Sequence, residues 1–276
     1  MLVNGQVQDM VQIGDRGLAY GDGLFETVRL HQAIPVLLTE HLDRMEKGAS
    51  TLKIPFDRQL MEKEIAVLAT EFPREGVLKV MLTRGSGGRG YRPGEQCEPS
   101  RIITLHALPE YANQASGIRT FICKQRLADQ PAIAGLKHLN RLEQVLASME
   151  WPDSTFDEGL MLDMHDNIKE GTRSNLFWVE SGQLMTPTLE DCGVAGILRD
   201  YLLNSMPGSS EEPESPLERL AQADEVFVCN SVFGIWPVNC ISHSAGQANF
   251  RPAGGKGTMT GDARQLFDKV LAASEI

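Results

Sequence analysis

Thiol chemistry has little to build on in this chain. The five cysteines, Cys97, Cys123, Cys192, Cys229 and Cys240, are odd in number and none pair at C-x-x-C spacing. That excludes a disulfide framework and a zinc knuckle and predicts reduced, mostly buried thiols. Positive charge is also scarce: 26 Lys and Arg against 37 Asp and Glu give a formal charge of -11. A surface of that sign repels phosphodiester backbones and anionic lipid, so neither nucleic acid nor membrane is expected as a partner. No segment approaches the ~20 apolar residues of a membrane helix. The opening Met1-Leu2-Val3-Asn4-Gly5 lacks the basic stretch and apolar run of a leader, and a cytoplasmic protein is expected. His31, His41, His106, His138, His165 and His243 include no i, i+4 pair and no acidic partner at metal-site spacing, so no metal site is expected.

What is present is a chain of 276 residues, 42% of them apolar, enough for two lobes. Short alternating segments at 2–7 and 24–30, separated by Gly14-Asp15-Arg16-Gly17 and Gly21-Asp22-Gly23, read as antiparallel strands and turns. Leu38, Leu42, Met45, Ala49 and Leu52 recur at helical spacing and predict a helix over 39–53. A second helix over 58–72 and strands at 77–82 and 102–107 make this lobe mixed α and β. Turn formers over 109–117 mark a linker between a domain at 1–108 and one at 118–276. The second lobe has strand signals at 119–124, 158–163, 176–180 and 226–229, and helix signals at 139–149, 197–205 and 258–273. Ser209 to Pro216 reads as a solvated loop before a helix-like 217–221.

Two glycine-rich stretches fail as nucleotide loops. Gly85-Ser86-Gly87-Gly88-Arg89-Gly90 lacks the Lys-Ser/Thr pair and precedes Tyr91-Arg92-Pro93, not a helix; Gly254-Gly255-Lys256-Gly257-Thr258 has the residues in the wrong order and reads as a turn. His165, in Met164-His165-Asp166-Asn167, reads as a hairpin tip.

Lys137 carries the strongest chemical signal. It follows the small and apolar Ala132, Ile133, Ala134 and Gly135 and precedes a helix, a setting that partly buries an ammonium. Burial favours the neutral amine, the form that adds to carbonyl carbon. Around it stand Asp15-Arg16, Gly21-Asp22-Gly23-Leu24-Phe25-Glu26, His41-Leu42-Asp43-Arg44, Lys137-His138-Leu139-Asn140, Ile168-Lys169-Glu170-Gly171-Thr172-Arg173-Ser174-Asn175, Gly193-Val194-Ala195-Gly196-Ile197-Leu198-Arg199 and Asn230-Ser231-Val232-Phe233-Gly234-Ile235-Trp236-Pro237. In this order the set resembles the fold-type IV pyridoxal-phosphate enzymes, which comprise branched-chain aminotransferases, D-amino-acid aminotransferases and aminodeoxychorismate lyases.

The resemblance implies an α/β fold of the α+β type, with a smaller N-terminal α/β domain and a larger, β-rich C-terminal domain that binds pyridoxal 5'-phosphate. It implies that Lys137 is the Schiff-base lysine and that Arg44 grips the cofactor phosphate, a role suited to a forked, permanent cation. Glu170 would lie beside the pyridine nitrogen and keep it protonated. The backbone N–H groups of Ile197 and Leu198, at a helix start, and the Ser231 hydroxyl would complete the phosphate site. Leu198 stands where relatives often carry threonine, so a side-chain hydroxyl is lost there.

Thr83-Arg84-Gly85-Ser86-Gly87-Gly88-Arg89-Gly90-Tyr91 and Gly135-Leu136-Lys137-His138-Leu139-Asn140-Arg141 resemble the lyase branch in particular. Arg89 and Tyr91 match a carboxylate trap in the D-amino-acid enzymes, whereas Phe25 replaces a tyrosine that those enzymes use. Cations at the site mouth suit a dicarboxylate such as 4-amino-4-deoxychorismate, with Arg89 the first candidate and Arg141 a weaker one. The implied activity is elimination of pyruvate from that substrate to give 4-aminobenzoate for folate biosynthesis. The implied assembly is a homodimer whose partner closes the site. A D-amino-acid or branched-chain aminotransferase and a non-catalytic ligand-binding homologue are the alternatives.

Overall fold

The structure is a computed structural model that describes residues 1–71, 74–95, 97–111, 116–151, 154–242 and 258–273. His243, the Gly254 to Gly257 turn and part of the expected linker lie outside the described residues. The chain divides into two compact units. One is Met1–Pro109 with Leu136–Asn140 and the chain from Val270; the other is Glu110–Gly135 with Arg141–Lys269.

The first unit is built on an antiparallel sheet. Its strands run β2 (Gln6–Val7), β1 (Leu2–Val3), β6 (Ser100–His106), β5 (Glu75–Thr83), β3 (Gly23–His31) and β4 (Ile34–Pro35). The single strand expected at 2–7 is a tight hairpin, because Asn4 and Gly5 both take positive φ, at 51° and 76°. On β3 the period of two sends Leu24, Glu26, Val28 and Leu30 to the buried face. Helix α2 (Leu38–Leu52) covers that face with the expected stripe: Leu42, Met45 and Ala49 share one core with Leu24, Val28, Leu30 and Leu78. Helix α3 (Arg58–Ala69), capped by Asp57 accepting from the Leu60 N–H, adds Met61, Ile65 and Leu68. Where turns were expected near Arg16, the chain instead forms a short helix, α1 (Arg16–Tyr20), whose first turn is capped by the Asp15 carboxylate.

The second unit holds eight strands in the order β12 (Ser210–Glu212), β11 (Gln183–Pro187), β10 (Asn175–Glu180), β13 (Glu225–Asn230), β14 (Gly234–Ser242), β7 (Ile118–Leu127), β8 (Glu158–Asp163) and β9 (Ile168–Gly171). Strand β9 also pairs with β10 through Glu170 and Asn175, so six of the strands close into a ring. Leu160, Leu176, Trp178, Val228 and Trp236 belong to its principal apolar cluster. Helix α4 (Leu142–Met149) starts later than the expected residue 139, because residues 137–139 pair in extended conformation with the start of β3, His138 bridging to Leu24. Helices α5 (Ile197–Ser205), α6 (Leu217–Gln222) and α7 (Thr258–Ala273) lie where the periodicity placed them. His165 falls in the turn between β8 and β9.

All five thiols are free; four are buried and Cys97 is half-buried. Among the described residues no helix is long and apolar enough to cross a membrane. Replacing Leu42, 1% exposed in the first core, by alanine is expected to remove about 2–5 kcal/mol of stability, measured as a lower denaturation midpoint in urea.

Candidate active site

Lys137 is held by strand-like bonds to the start of β3. The Phe25 N–H donates to the Lys137 carbonyl at 2.9 Å, and the Leu139 N–H donates to the Gly23 carbonyl at 3.0 Å. This pairing places the Lys137 ammonium 4.5 Å from the centre of the Phe25 ring, on a half-buried side chain. The five residues Leu136–Asn140 thereby group with the first unit, although the chain on either side of them groups with the second.

Arg44 on α2 turns inward to β3. Its Nε donates to Glu26 Oε1 at 2.8 Å and its Nη2 donates to Glu26 Oε2. His41 Nδ1 lies 2.6 Å from Glu26 Oε2, and both of these side chains are almost wholly buried. Burial pushes the Glu26 carboxyl up, but the Arg44 charge and the His41 hydrogen bond outweigh it and hold the group at about 2. Burial lowers His41 in turn, against the pull of Glu26 and with help from the Arg44 and Lys137 charges. The imidazole is therefore neutral, its Nδ1–H donating to Glu26. Sequence reading missed Glu26 and His41 as site residues; the signal was a lone acid on the apolar face of a strand.

The second unit carries the remaining candidates. Glu170 on β9 is 4% exposed. Its Oε2 accepts from the Val194 N–H at 2.8 Å and its Oε1 from the Gln144 side chain at 3.4 Å. The turn after β9 is gripped by Glu158, fully buried, which accepts from the Gly159 and Thr172 N–H groups and from the Thr172 and Ser174 hydroxyls. Burial raises the Glu158 carboxyl despite those donors. Ile197 and Leu198 are the first residues of α5, which has no side-chain cap, so its leading N–H groups have no partner within the helix. Gly196 precedes them because a Cβ there would lie 1.9 Å from Asn175 Oδ1. Asn175 in turn donates to the Val194 carbonyl. Ser231 is half-buried in the turn between β13 and β14, where the Asn230 side chain accepts from the Val232 and Phe233 N–H groups.

Arg89 and Tyr91 lie in the first unit on an exposed loop, Tyr91 at 90% exposure. Arg141, in the second unit, is the half-buried residue preceding α4. Within the first unit the structure brings Lys137, Phe25, Glu26, His41 and Arg44 into one neighbourhood; within the second it gathers Glu170 with Val194, and Ile197 and Leu198 with Gly196.

The sequence matches the family profile described as amino-transferase class IV over residues 23–241. The chain belongs to that family. Among class IV aminotransferase relatives it is 36% identical to the aminodeoxychorismate lyase of Vibrio harveyi, over 90% of this chain and 93% of that one. It is similar to the crystal structure of the 4-amino-4-deoxychorismate lyase of Pseudomonas aeruginosa, with 42% identity and a TM-score of 0.88 over 98% of this chain and 97% of that one. It is also similar to the branched-chain aminotransferase of Escherichia coli, with 25% identity and a TM-score of 0.84 over 99% and 94% of the two chains. The mixed α/β, fold-type IV architecture expected from the sequence motifs is the one these class IV structures share.

Glu26 titrates well below the ordinary carboxylate value of 4.5, at about 2. Its contribution is therefore complete above the unfolded pKa and is lost as pH falls through the folded one. The stability of the protein should drop by on the order of 3 kcal/mol between about pH 4.5 and pH 2 from this group alone. Glu26→Gln, less stable at neutral pH, should show a flatter profile across the same window in urea titrations. Equal slopes for the two proteins would rule out Glu26 as the source.

Proposed function

We propose that this chain is an aminodeoxychorismate lyase, a pyridoxal 5'-phosphate-dependent enzyme that eliminates pyruvate from 4-amino-4-deoxychorismate to leave 4-aminobenzoate for folate biosynthesis. The observation that carries the reading is the likeness to lyases along almost the whole chain, at 36% and 42% identity, against 31% to a putative branched-chain aminotransferase of Methanocaldococcus jannaschii and 25% to that of Escherichia coli. A cytoplasmic homodimer is part of the proposal.

The residues present fit an anionic aromatic cofactor. The uncapped start of α5 offers unpaired N–H groups to a phosphate, and Ser231 adds a hydroxyl. Arg44, its fork aimed by Glu26, adds the charge. Glu170, oriented by Val194 and Gln144, suits a protonated ring nitrogen, and Lys137 is the amine that attaches the aldehyde. When bound, the cofactor supplies an electron-poor ring able to accept the electron pair left by a departing proton.

The chain's own residues then have distinct tasks. Lys137 Nζ would hold the aldehyde and, once free, would be the base for the proton on substrate C4. Glu170 would face the ring nitrogen and favour its protonated form, which would ease that removal. The bond between the neighbouring carbon and the ether oxygen would break, the released enolate would take up a proton to become pyruvate, and the remaining ring would become aromatic. Arg89 and Tyr91 hold the substrate carboxylates, and Phe25, beneath the Lys137 ammonium, packs beside the reacting end. The protein's task is to align the C4–H bond and to keep proton return elsewhere slow, since aromatisation already favours elimination.

The second reading, a D-amino-acid or branched-chain aminotransferase, draws on the Escherichia coli likeness and would use the same Lys137, Glu170 and Arg44. Phe25, where the D-amino-acid enzymes carry tyrosine, counts against it. The non-catalytic alternative predicts no turnover and no lysine-dependent chromophore. Purified protein should release pyruvate from aminodeoxychorismate with no keto-acid acceptor; accumulation of pyridoxamine phosphate from an amino acid instead would decide for the transaminase.

Lys137→Ala should abolish both the visible absorption of bound cofactor and turnover. Glu170→Gln should slow proton abstraction by about 10²-fold or more while cofactor binding changes less. Turnover at the wild-type rate in either variant would refute these assignments.

A further inference from the structure

The Asp15-Arg16 and Gly21-Asp22-Gly23 motifs have no part in the chemistry above, yet they surround one of the most fully engaged cations of the first unit. Arg16 is 3% exposed. Its Nε donates to Asp22 Oδ2 at 2.9 Å, its Nη1 to the Gly90 carbonyl at 3.0 Å and its Nη2 to the Tyr91 carbonyl at 2.9 Å. The planar fork is thus divided between one carboxylate and two consecutive carbonyls of the loop that bears Arg89 and Tyr91.

The anchor behind Arg16 is rigid. Asp22 also accepts from Arg84 Nε at 2.8 Å and Nη2 at 3.0 Å. Arg84 in turn donates to the Leu52 and Lys53 carbonyls at the end of α2. Asp22 is held below the usual carboxylate range because hydrogen bonds and charges from Arg84 and Arg16 outweigh its burial. The Arg16 N–H donates to the Gly85 carbonyl, where the loop departs. The Arg16 guanidinium lies 4.7 Å from the Tyr20 ring centre, and Tyr20 lies 5.7 Å from Tyr91, ring to ring.

The loop itself supplies little order. Gly87, Gly88 and Gly90 all take positive φ, and residues 87–91 are exposed. A segment this rich in glycine loses much backbone freedom when its side chains must meet a ligand. A fixed mooring lowers that cost before binding.

We propose that Arg16 is a positioning residue for substrate recognition: by holding the Gly90 and Tyr91 carbonyls it presets the loop that presents Arg89 and Tyr91 to the substrate carboxylates. This rests on the reading of those two residues as substrate contacts. A guanidinium can satisfy three separated acceptors in one plane, which an ammonium on a flexible stem cannot.

The test uses holoenzyme and four proteins: wild type, Arg16→Lys, Arg89→Ala and the double variant. Arg16→Lys is expected to raise KM for aminodeoxychorismate about tenfold with kcat within about twofold of wild type, the pattern of lost binding rather than lost chemistry. It should also speed backbone hydrogen exchange over 85–91 without changing the absorption of bound cofactor. In the Arg89→Ala background the same substitution should change KM by less than about twofold, because the group it positions is already gone. If Arg89→Ala leaves KM unchanged, the substrate reading of the loop falls and this inference falls with it. If Arg89→Ala raises KM but Arg16→Lys does not, or if the two effects multiply independently, the inference alone is overturned. Should Arg16→Lys fail to fold, Asp22→Asn, which leaves the guanidinium and loosens its anchor, should give a smaller rise in KM; an unchanged KM there would overturn the proposal equally.

Discussion

A carboxylate on the core face of a strand must be compensated, since taking an ion out of water costs several kcal/mol even after relaxation. In this protein Glu26 stands in that position on β3, between Leu24 and Val28. Arg44 and His41, one turn apart on α2, both turn inward to satisfy it. Helix and strand are thereby clamped in a single register, the Arg44 fork is pre-aimed, and the face of β3 carrying Phe25 is left for Lys137. A hydrocarbon at position 26 would pack the same core but would remove the two carboxylate oxygens that receive the Arg44 fork. The buried acid thus serves orientation as well as pH-dependent stability.

How far the sequence foretold this depends on whether the information was local. The α2 stripe and the α5 boundaries follow from helical spacing, and the strands β8 and β10 from short apolar runs that are buried on both faces. Strand β9 did not announce itself: Ile168-Lys169-Glu170-Gly171 shows no alternation of polarity, yet all four residues are buried. Its charged side chains are met by Asp163 across the β8–β9 turn, for Lys169, and by the Val194 N–H, for Glu170. Strand β14 was hidden by Pro237, which argues against a central strand. The later start of α4 came from the tertiary pairing of residues 137–139 with the start of β3, which no local rule contains.

The same division runs through the candidate site. Lys137, Arg44 and Glu170 stood out as candidates because several short motifs occur in one order along the chain. The groups that orient them did not: Glu26 and His41 around Arg44, Gln144 and Val194 around Glu170, and Glu158 beneath the turn that follows it. Each makes its contribution through a contact across the fold, where residue type alone looks ordinary. Arg16 is the clearest instance, a residue that reads as part of a turn and is in fact buried with three hydrogen bonds.

The meeting of β9 with β10 at Glu170 and Asn175 makes that residue pair the seam of a cylinder. A strand flanked on both sides cannot slip by one residue without unzipping two neighbours, and such a slip would turn every side chain to the opposite face. The place of the acid at the seam is consequently fixed by the closure of the ring, whatever the surface loops around it do.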